Sequence, residues 1–243
     1  SGRTSRAPVR VAVLASGGGT NLQSLIDALG PPAPARVARV ISNRADAGAL
    51  DRARRASIPT TVLQNPLDPN ELLSALGDAD LVVLAGYLKL IPAAVVARFP
   101  RRLVNIHPAL LPAFGGPGMY GRRVHEAVLA SAATESGATV HYVDEQYDRG
   151  PIIAQRRVPV HPGDTVDTLA QRVLTAEHEL LPEVVIELGG HISVSGDAQW
   201  QLRVADTDEV QIRTILEAVA RGRDDPNLPP PRNRSEGQRR QQQ

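Results

Sequence analysis

Apolar segments alternate with segments of helical periodicity through the first part of the chain. The runs VRVAVLA (9–15), ARVARVIS (35–42) and DLVVLAG (80–86) are rich in β-branched residues and predict buried strands. NLQSLIDALG (21–30) instead has apolar residues at helical spacing and ends on glycine, which predicts a helix. Strands that alternate with helices in this way predict an α/β protein, with a mostly parallel, Rossmann-like sheet and helices on both faces.

The pattern changes after residue 107. The stretch PALLPAFGGPGMYGRR is rich in proline and glycine and predicts a loop, with the helix RRVHEAVLASA behind it. GATVHYVDE and PIIAQRRVPV predict two strands joined through EQYDRG, which is most simply a mixed or antiparallel addition to the sheet. A long amphipathic helix is expected from Asp164 to about Leu188, with Asp164 or Thr165 as its N-cap.

These elements predict a single domain over residues 9–200, divided into halves at 9–104 and 105–200. Residues 201–243 are expected to form a C-terminal extension, with a helix over 207–221 and then a disordered tail. The tail is predicted to be disordered because DDPNLPPPRNRSEGQRRQQQ has too little apolar content to fold.

Composition excludes several classes of function. The formal net charge of +1 gives no electrostatic footprint for nucleic acid, and no such partner is expected. There is no cysteine, which excludes a disulfide scaffold, a thiolate nucleophile and a cysteine-ligated zinc site. No run approaches the roughly twenty apolar residues that cross a bilayer, and the polar opening SGRTSRAPVR lacks the core of a signal peptide. The default expectation is a soluble, cytoplasmic protein with no membrane partner.

Two polar side chains lie near the end of a predicted core strand, in LVNIHPALLP (103–112). Asn105 and His107 point to the same face of that strand, and Pro108 cannot continue its hydrogen-bond ladder. The ends of such strands border the ligand crevices of α/β sheets. A lone histidine there is more often structural, but an amide on the same face adds a second donor for one developing oxyanion.

The stretch SGGGTN (16–21) joins a predicted strand to a predicted helix. Glycines at a helix N-terminus leave backbone N–H groups free for a phosphate. The alternative is a tight turn in which Thr20 or Asn21 caps the helix. The stretch matches neither G-x-G-x-x-G, because Leu22 occupies a glycine position, nor a Walker A motif.

A carboxylate lies in the turn EQYDRGP, where Asp148 is common merely as a turn former. If this turn folds onto the strand end that holds His107, the carboxylate is expected to raise the imidazole pKa. The other histidines, His141 on a strand and His125 on a helix among them, are interpreted as structural. No H-E-x-x-H motif or cluster of carboxylates at metal-ligand spacing is found, so no metal site is expected.

With these residues identified, the sequence resembles the phosphoribosylglycinamide (GAR) formyltransferases of purine synthesis. The resemblance runs from about Val9 to about Leu188, through VAVLASGGGTNLQSLIDA, ISNRADAGALDRA, VVLAGYLKLI, LVNIHPALLPAF, GATVHYVDEQYDRGPIIAQ and AEHELLPEVV. NIHPxLLP with the downstream D-x-GPII marks the wider folate-dependent formyltransferase family. The SGxGTN turn is similar to that of the GAR enzymes.

The resemblance implies transfer of a formyl group from the co-substrate 10-formyltetrahydrofolate to the amine of GAR. Asn105 and His107 would bind the formyl oxygen, and Asp148 would keep His107 protonated. The backbone of Gly19, Thr20 and Asn21 would hold the GAR phosphate, and Glu177 the ribose. The implied folate-binding residues are Leu88, Lys89, Leu90, Ile91, Asn105, Val143, Asp144, Tyr147 and Asp148. The family also implies a cis bond at Leu111–Pro112, small-molecule partners only, and a monomer or homodimer.

Two departures from the family and three alternatives remain. The connection NPLDPNELLSALGDAD looks shorter than is usual in the family, so a folate-contacting arginine found there in relatives cannot be placed in this sequence. The loop AFGGPGMYGRRVHEAV lacks the His-x-His of one family variant. A formyltetrahydrofolate hydrolase would add a domain before the first strand, and a formyltransferase acting on initiator tRNA a β-barrel after the last helix. A non-catalytic nucleotide-binding module would explain SGGGTN but not Asn105, His107 and Asp148 together.

Overall fold

The computed structural model describes the backbone of residues 7–205 and the side chains of residues 7–192. Its centre is a seven-stranded sheet in the order β3-β2-β1-β4-β5-β6-β7. The strands are β1 (Val9–Leu14), β2 (Ala35–Ser42), β3 (Thr60–Val62), β4 (Leu81–Leu84), β5 (Leu103–His107), β6 (Glu135–Tyr142) and β7 (Ile152–Pro159). All neighbours among β1–β5 are parallel, whereas β6 and β7 are antiparallel, so the predicted fold class is confirmed.

Helices cover both faces of the sheet. They are α1 (Thr20–Ala28), α2 (Gly48–Arg55), α3 (Pro69–Leu76), α4 (Ala93–Arg98), α5 (Arg122–Ala130) and α6 (Val166–Ala205). Alternate side chains of β1 enter opposite cores, since Val11 and Val13 pack with α1, α2 and α6 while Ala12 and Leu14 pack with α3 and α4. Each fully buried leucine in these layers contributes about 1.5–3 kcal/mol relative to an exposed one.

The start of α1 differs from the sequence expectation. Its N-cap is Gly19, which has φ 75° and makes no side-chain capping bond, so the alternative in which Thr20 or Asn21 caps the helix is wrong. Gly19 also approaches the start of α2 closely, because a methyl group added to it would lie 2.6 Å from Cα of Ala49. Only glycine meets both conditions without strain.

The last helix is longer than its sequence pattern suggested. α6 continues past Leu188 to Ala205, so the predicted end was wrong. Gly189, which resembles a helix stop, instead permits close packing, because a methyl group there would lie 2.9 Å from Cβ of Ala35. At the other end, Thr165 Oγ1 accepts the backbone N–H of Thr168 at 3.2 Å, which is the pattern of a capping threonine.

Three further expectations concern a cis peptide bond, the C-terminal extension and membrane-spanning helices. The implied cis bond at Leu111–Pro112 is present. The predicted helix over 207–221 and the tail after it lie outside the described residues. Within residues 7–205, no helix combines the length and the apolar character needed to cross a membrane.

Candidate active site

Three predicted side chains, two on β5 and one from the turn after β6, meet over one face of β5. Nδ1 of His107 lies 3.5 Å from Oδ2 of Asp148, and Nδ2 of Asn105 lies 3.4 Å from Oδ1 of the same carboxylate. The side chains of His107 and Asp148 are only 4% and 9% exposed. The turn between β6 and β7 therefore folds back onto β5.

Local backbone geometry explains why this turn reaches β5. Asp148 has φ 55°, a left-handed conformation that aspartate adopts more readily than most residues. Gly150 lies against the end of β6, because a methyl group on it would be 1.7 Å from the carbonyl oxygen of Tyr142. The D-R-G sequence thus permits a path that bulkier residues would block.

The loop that follows β5, residues 108–121, also contacts these side chains through its backbone. The N–H of Gly116 donates to Oδ2 of Asp148 at 3.0 Å, and Nε2 of His107 lies 2.8 Å from the carbonyl oxygen of Phe114. His107 is therefore held on both sides, with an oxygen acceptor facing each ring nitrogen. This arrangement fixes the plane of the imidazole.

Burial changes the expected protonation of His107. Burial lowers its pKa, and the Asp148 carboxylate and the Phe114 carbonyl offset only part of that effect. Asp148 raises the His107 pKa as expected, but burial outweighs this effect, so the implied role of the carboxylate in keeping His107 protonated is not supported. For Asp148, burial alone would raise the pKa, but nearby groups, among them His107 and the N–H of Gly116, hold it below its ordinary value. Asp148 is consequently ionised at neutral pH.

A cleft opens beside these side chains, between the segment after β4 and the turn after β6. Every predicted folate-binding residue except Leu88 lines it. Tyr87 and Gln146 also line it, and the sequence analysis did not identify them. Leu88 is instead 49% exposed, and its backbone N–H donates to Ser16 Oγ at 3.0 Å. The cleft combines apolar walls with polar groups at its inner end, as sites for flat heterocycles do.

The glycine-rich turn lies near Glu177, as expected from the resemblance. Nδ2 of Asn21 donates to Oε1 of Glu177 at 3.1 Å across the contact between α1 and α6. Glu177 is buried, and burial raises its pKa to about 7 despite the bond from Asn21. A methyl group on Gly17 or Gly18 would meet nothing within 4 Å, so protein packing does not account for these two glycines.

Two side chains that the sequence analysis left out belong to these sites. His141 is buried and lies 3.1 Å, Nε2 to Nδ2, from Asn105. Arg52 on α2 donates from Nε to the carbonyl oxygen of Gly18 at 2.7 Å, which places a guanidinium against the glycine-rich turn. The alternation of polar residues in β6 was a usable signal for His141, whereas Arg52 had none among many arginines.

Among the described side chains, no group of three or more His, Asp or Glu residues is arranged to hold a metal ion.

Comparison with known proteins gives a family match that covers both the sheet and the proposed site residues. The family model for formyl transferases matches residues 9–185, which include both β5 and the turn that carries Asp148. The chain belongs to the formyl transferase family. Asn105, His107 and Asp148 thus lie within the region that defines this family.

Relatives within the formyl transferase family have consistent names. The chain is 46% identical over 186 residues to the chloroplastic phosphoribosylglycinamide formyltransferase of Arabidopsis thaliana, covering 72% of this chain and 64% of the relative. It is 42% identical over 186 residues to the trifunctional purine biosynthetic protein adenosine-3 of Bos taurus, covering 72% of this chain and 18% of that protein. The chain therefore spans less than two thirds of the length of either relative.

A solved structure supports the assignment of this chain to the formyl transferase family. The crystal structure of phosphoribosylglycinamide formyltransferase from Anaplasma phagocytophilum superimposes with a TM-score of 0.71 at 38% identity. The superposition covers 76% of this chain and 88% of that one. The fold that surrounds the site is thus shared along nearly the whole of that structure.

Proposed function

We propose that the protein transfers the formyl group of 10-formyltetrahydrofolate to the amine of GAR, giving formyl-GAR and tetrahydrofolate in de novo purine synthesis. The observation that carries the proposal is the meeting of Asn105, His107 and Asp148 beside the cleft. The names of the relatives, which include a phosphoribosylglycinamide formyltransferase and a purine biosynthetic protein, support the same substrate.

The chemistry requires stabilisation of one oxygen. The reaction forms a bond from the GAR nitrogen to the formyl carbon and breaks the bond from that carbon to N10 of the folate. Negative charge develops on the formyl oxygen in between, and Asn105 and His107 supply N–H donors for it. One such donor typically lowers the barrier by about 3–4 kcal/mol. Both ring nitrogens of His107 now face protein oxygens, so the formyl oxygen would replace Asp148 Oδ2 or the Phe114 carbonyl as the acceptor of the ring N–H. A neutral imidazole with one N–H serves as a donor of this kind, so the low pKa of His107 is compatible with the role.

A proton must also move from the attacking nitrogen to N10. Asp148 is the ionised carboxylate nearest to the two donors, and we assign it the relay of this proton through a water molecule. Its second role is to position the His107 ring through the Nδ1 contact. No step of this scheme needs a metal ion.

The GAR phosphate would bind at the start of α1. Gly19, Thr20 and Asn21 offer backbone N–H groups at a helix N-terminus, and Gly17 and Gly18 leave room for a close approach. Glu177 would accept bonds from the ribose hydroxyls, which gives its buried carboxyl group polar partners. Both halves of the domain contribute to each proposed substrate site. The folate cleft combines the segment after β4 with the turn after β6, and the GAR site combines the start of α1 with Glu177 on α6.

The partners, oligomeric state and location of the protein complete the proposal. We expect small-molecule partners alone, a monomer or homodimer, and a cytoplasmic location. The compartment is open to direct test, since the Arabidopsis relative is named as chloroplastic. Fractionation of the source cells and light scattering of the purified protein measure the compartment and the oligomeric state.

The proposed activity has a direct assay. Purified protein with GAR and 10-formyltetrahydrofolate is expected to form formyl-GAR and tetrahydrofolate in equal amounts. Release of formate without dependence on GAR would instead identify a hydrolase. Asn105→Ala and His107→Ala are each expected to lower kcat by about a hundredfold or more while GAR still binds. His161→Ala, at an exposed position, is the matched control and should retain full turnover.

A further inference from the structure

The buried imidazole of His141 lies directly across from Asn105. The two residues are paired in the register of β5 and β6, so their side chains leave the same face of the sheet at adjacent positions. His141 is 2% exposed and contacts two of the proposed reacting groups, Asn105 at 3.1 Å and Asp148 at 3.5 Å. Nothing in the proposed mechanism uses this ring directly.

The partners of the ring determine which nitrogen carries the proton. Nδ1 of His141 lies 2.8 Å from the carbonyl oxygen of Tyr142, which can only accept a hydrogen bond. Nδ1 therefore carries the proton, and Nε2 presents a lone pair. The nearest group to that lone pair is Nδ2 of Asn105, a donor, while the carboxylate oxygen of Asp148 is farther away.

This lone pair decides which way the Asn105 amide faces. A carboxamide turned the other way would place its oxygen against the lone pair of His141 and the carboxylate of Asp148, leaving three acceptors together. With Nδ2 on this side, one N–H bonds to His141 and the second points towards Asp148 at 3.4 Å. The second bond is long, so its N–H is the one available to an incoming carbonyl oxygen.

We infer that His141 is a positioning residue that orients the Asn105 amide so that it presents an N–H group, rather than its oxygen, to the formyl oxygen. The catalytic effect of this orientation rests on the proposed function, whereas the hydrogen bond between His141 and Asn105 does not depend on it. Loss of the ring would let the amide rotate, and only part of the molecules would then hold a donor in place.

A double-mutant cycle separates this role from a general structural one. His141→Phe is expected to lower kcat by about tenfold, less than the loss from deleting the donor itself, with the KM of each substrate nearly unchanged. In the Asn105→Ala background the same substitution should cause no further loss, because the group that it orients is absent. His161→Phe, at an exposed histidine, is the control. A full kcat in His141→Phe, or a further tenfold loss in the double variant, would overturn the inference.

A second measurement needs neither activity nor a variant at position 141. Nitrogen-15 NMR of the histidine rings in the wild-type chain should show the His141 proton on Nδ1. The two Asn105 side-chain amide protons, assigned from their loss in Asn105→Asp, should exchange with solvent at different rates. A proton on Nε2 of His141, donated to Asp148, would contradict the inference. Absence of formyl transfer by the wild-type chain would overturn the proposed function and leave this measurement valid.

Discussion

The hydroxyl group of Ser16 accepts a hydrogen bond from the backbone N–H of Leu88 at 3.0 Å, and its O–H donates to Oδ1 of Asn43. Ser16 is buried and immediately precedes the glycine-rich turn, while Leu88 belongs to the segment beside the folate cleft. One hydroxyl thus ties the ends of three neighbouring strands together. The proposed phosphate site and the proposed folate cleft are held at a fixed separation by this bond.

Ser16→Ala is expected to loosen the segment after β4. Loss of the hydroxyl leaves the part-buried Leu88 N–H without this partner, and a hydrogen bond of this kind contributes about 0.5–1.5 kcal/mol. We expect the KM for 10-formyltetrahydrofolate to rise by about fivefold or more, with a smaller rise for GAR. Steady-state kinetics with each substrate varied in turn measures both. Ser74→Ala, at an exposed position on α3, is the control, and an equal rise in the two constants would argue against the link described here.

Arg52 provides a test of the phosphate site. Its guanidinium donates to the carbonyl oxygen of Gly18, so a positive charge lies against the turn that would hold the GAR phosphate. A hydrogen bond to a charged group contributes about 1.5–3 kcal/mol, so Arg52→Met should raise the KM for GAR roughly tenfold without changing that for the folate. Added salt should weaken GAR binding less in the variant than in the wild type.

The matched control for Arg52 lies on the same helix. Arg54 pairs with Asp51 on the exposed side of α2, so Arg54→Met removes the same charge away from the turn. Unchanged kinetics are expected for this variant. A similar KM for GAR in the Arg52 and Arg54 variants would remove Arg52 from the phosphate site.

The sequence predicted the parts of the site that a strand pattern reveals. Asn105 and His107 were identified because two polar residues share one face of an apolar strand. The same argument applied to β6 gives Thr139 and His141, but in the sequence analysis His141 is interpreted as structural and Thr139 is not considered. Thr139 is fully buried, and its hydroxyl group links β6 to the backbone of the loop after β5.

Other features depend on the three-dimensional packing and could not be predicted. The direction of the His107 pKa follows from how deeply the folded chain buries the ring, which no local pattern encodes. The Gly189–Gly190 pair resembles a helix end in sequence, whereas the close approach of Ala35 accounts for a glycine at position 189 inside α6. The contact of Arg52 with Gly18 likewise depends on the packing of α2 against the turn.

The buried carboxyl group of Glu177 predicts a stability that depends on pH. Its pKa rises from 4.5 to about 7 on folding, so the folded chain binds the proton more tightly than the unfolded chain does. The stabilisation is complete below pH 4.5 and is lost as the pH rises through about 7. The neutral isostere in Glu177→Gln avoids this loss. Its stability gain over the wild type should grow by about 3 kcal/mol from pH 4.5 to pH 8.

Urea unfolding of both proteins at several pH values measures this difference. Glu126→Gln, which changes an exposed glutamate on α5, is the control. The KM of Glu177→Gln for GAR is expected to rise, since the amide would be a poorer acceptor for the ribose hydroxyls. A stability gain that is independent of pH would mean that Glu177 is ionised throughout this range.

The pKa of His107 can be measured directly and sets the sign of a second pH effect. Burial lowers this pKa below 6.5, while Asp148 opposes the shift, so Asp148→Asn should lower the NMR titration midpoint of the ring still further. The folded chain then binds fewer protons than the unfolded chain below pH 6.5, and stability falls as the pH drops through that window. Asp144→Asn changes a carboxylate in the same turn that is not among the causes of the shift, and it should leave the midpoint in place. A wild-type midpoint above 6.5 would show that the charge of Asp148 outweighs burial, and that His107 acts as an imidazolium.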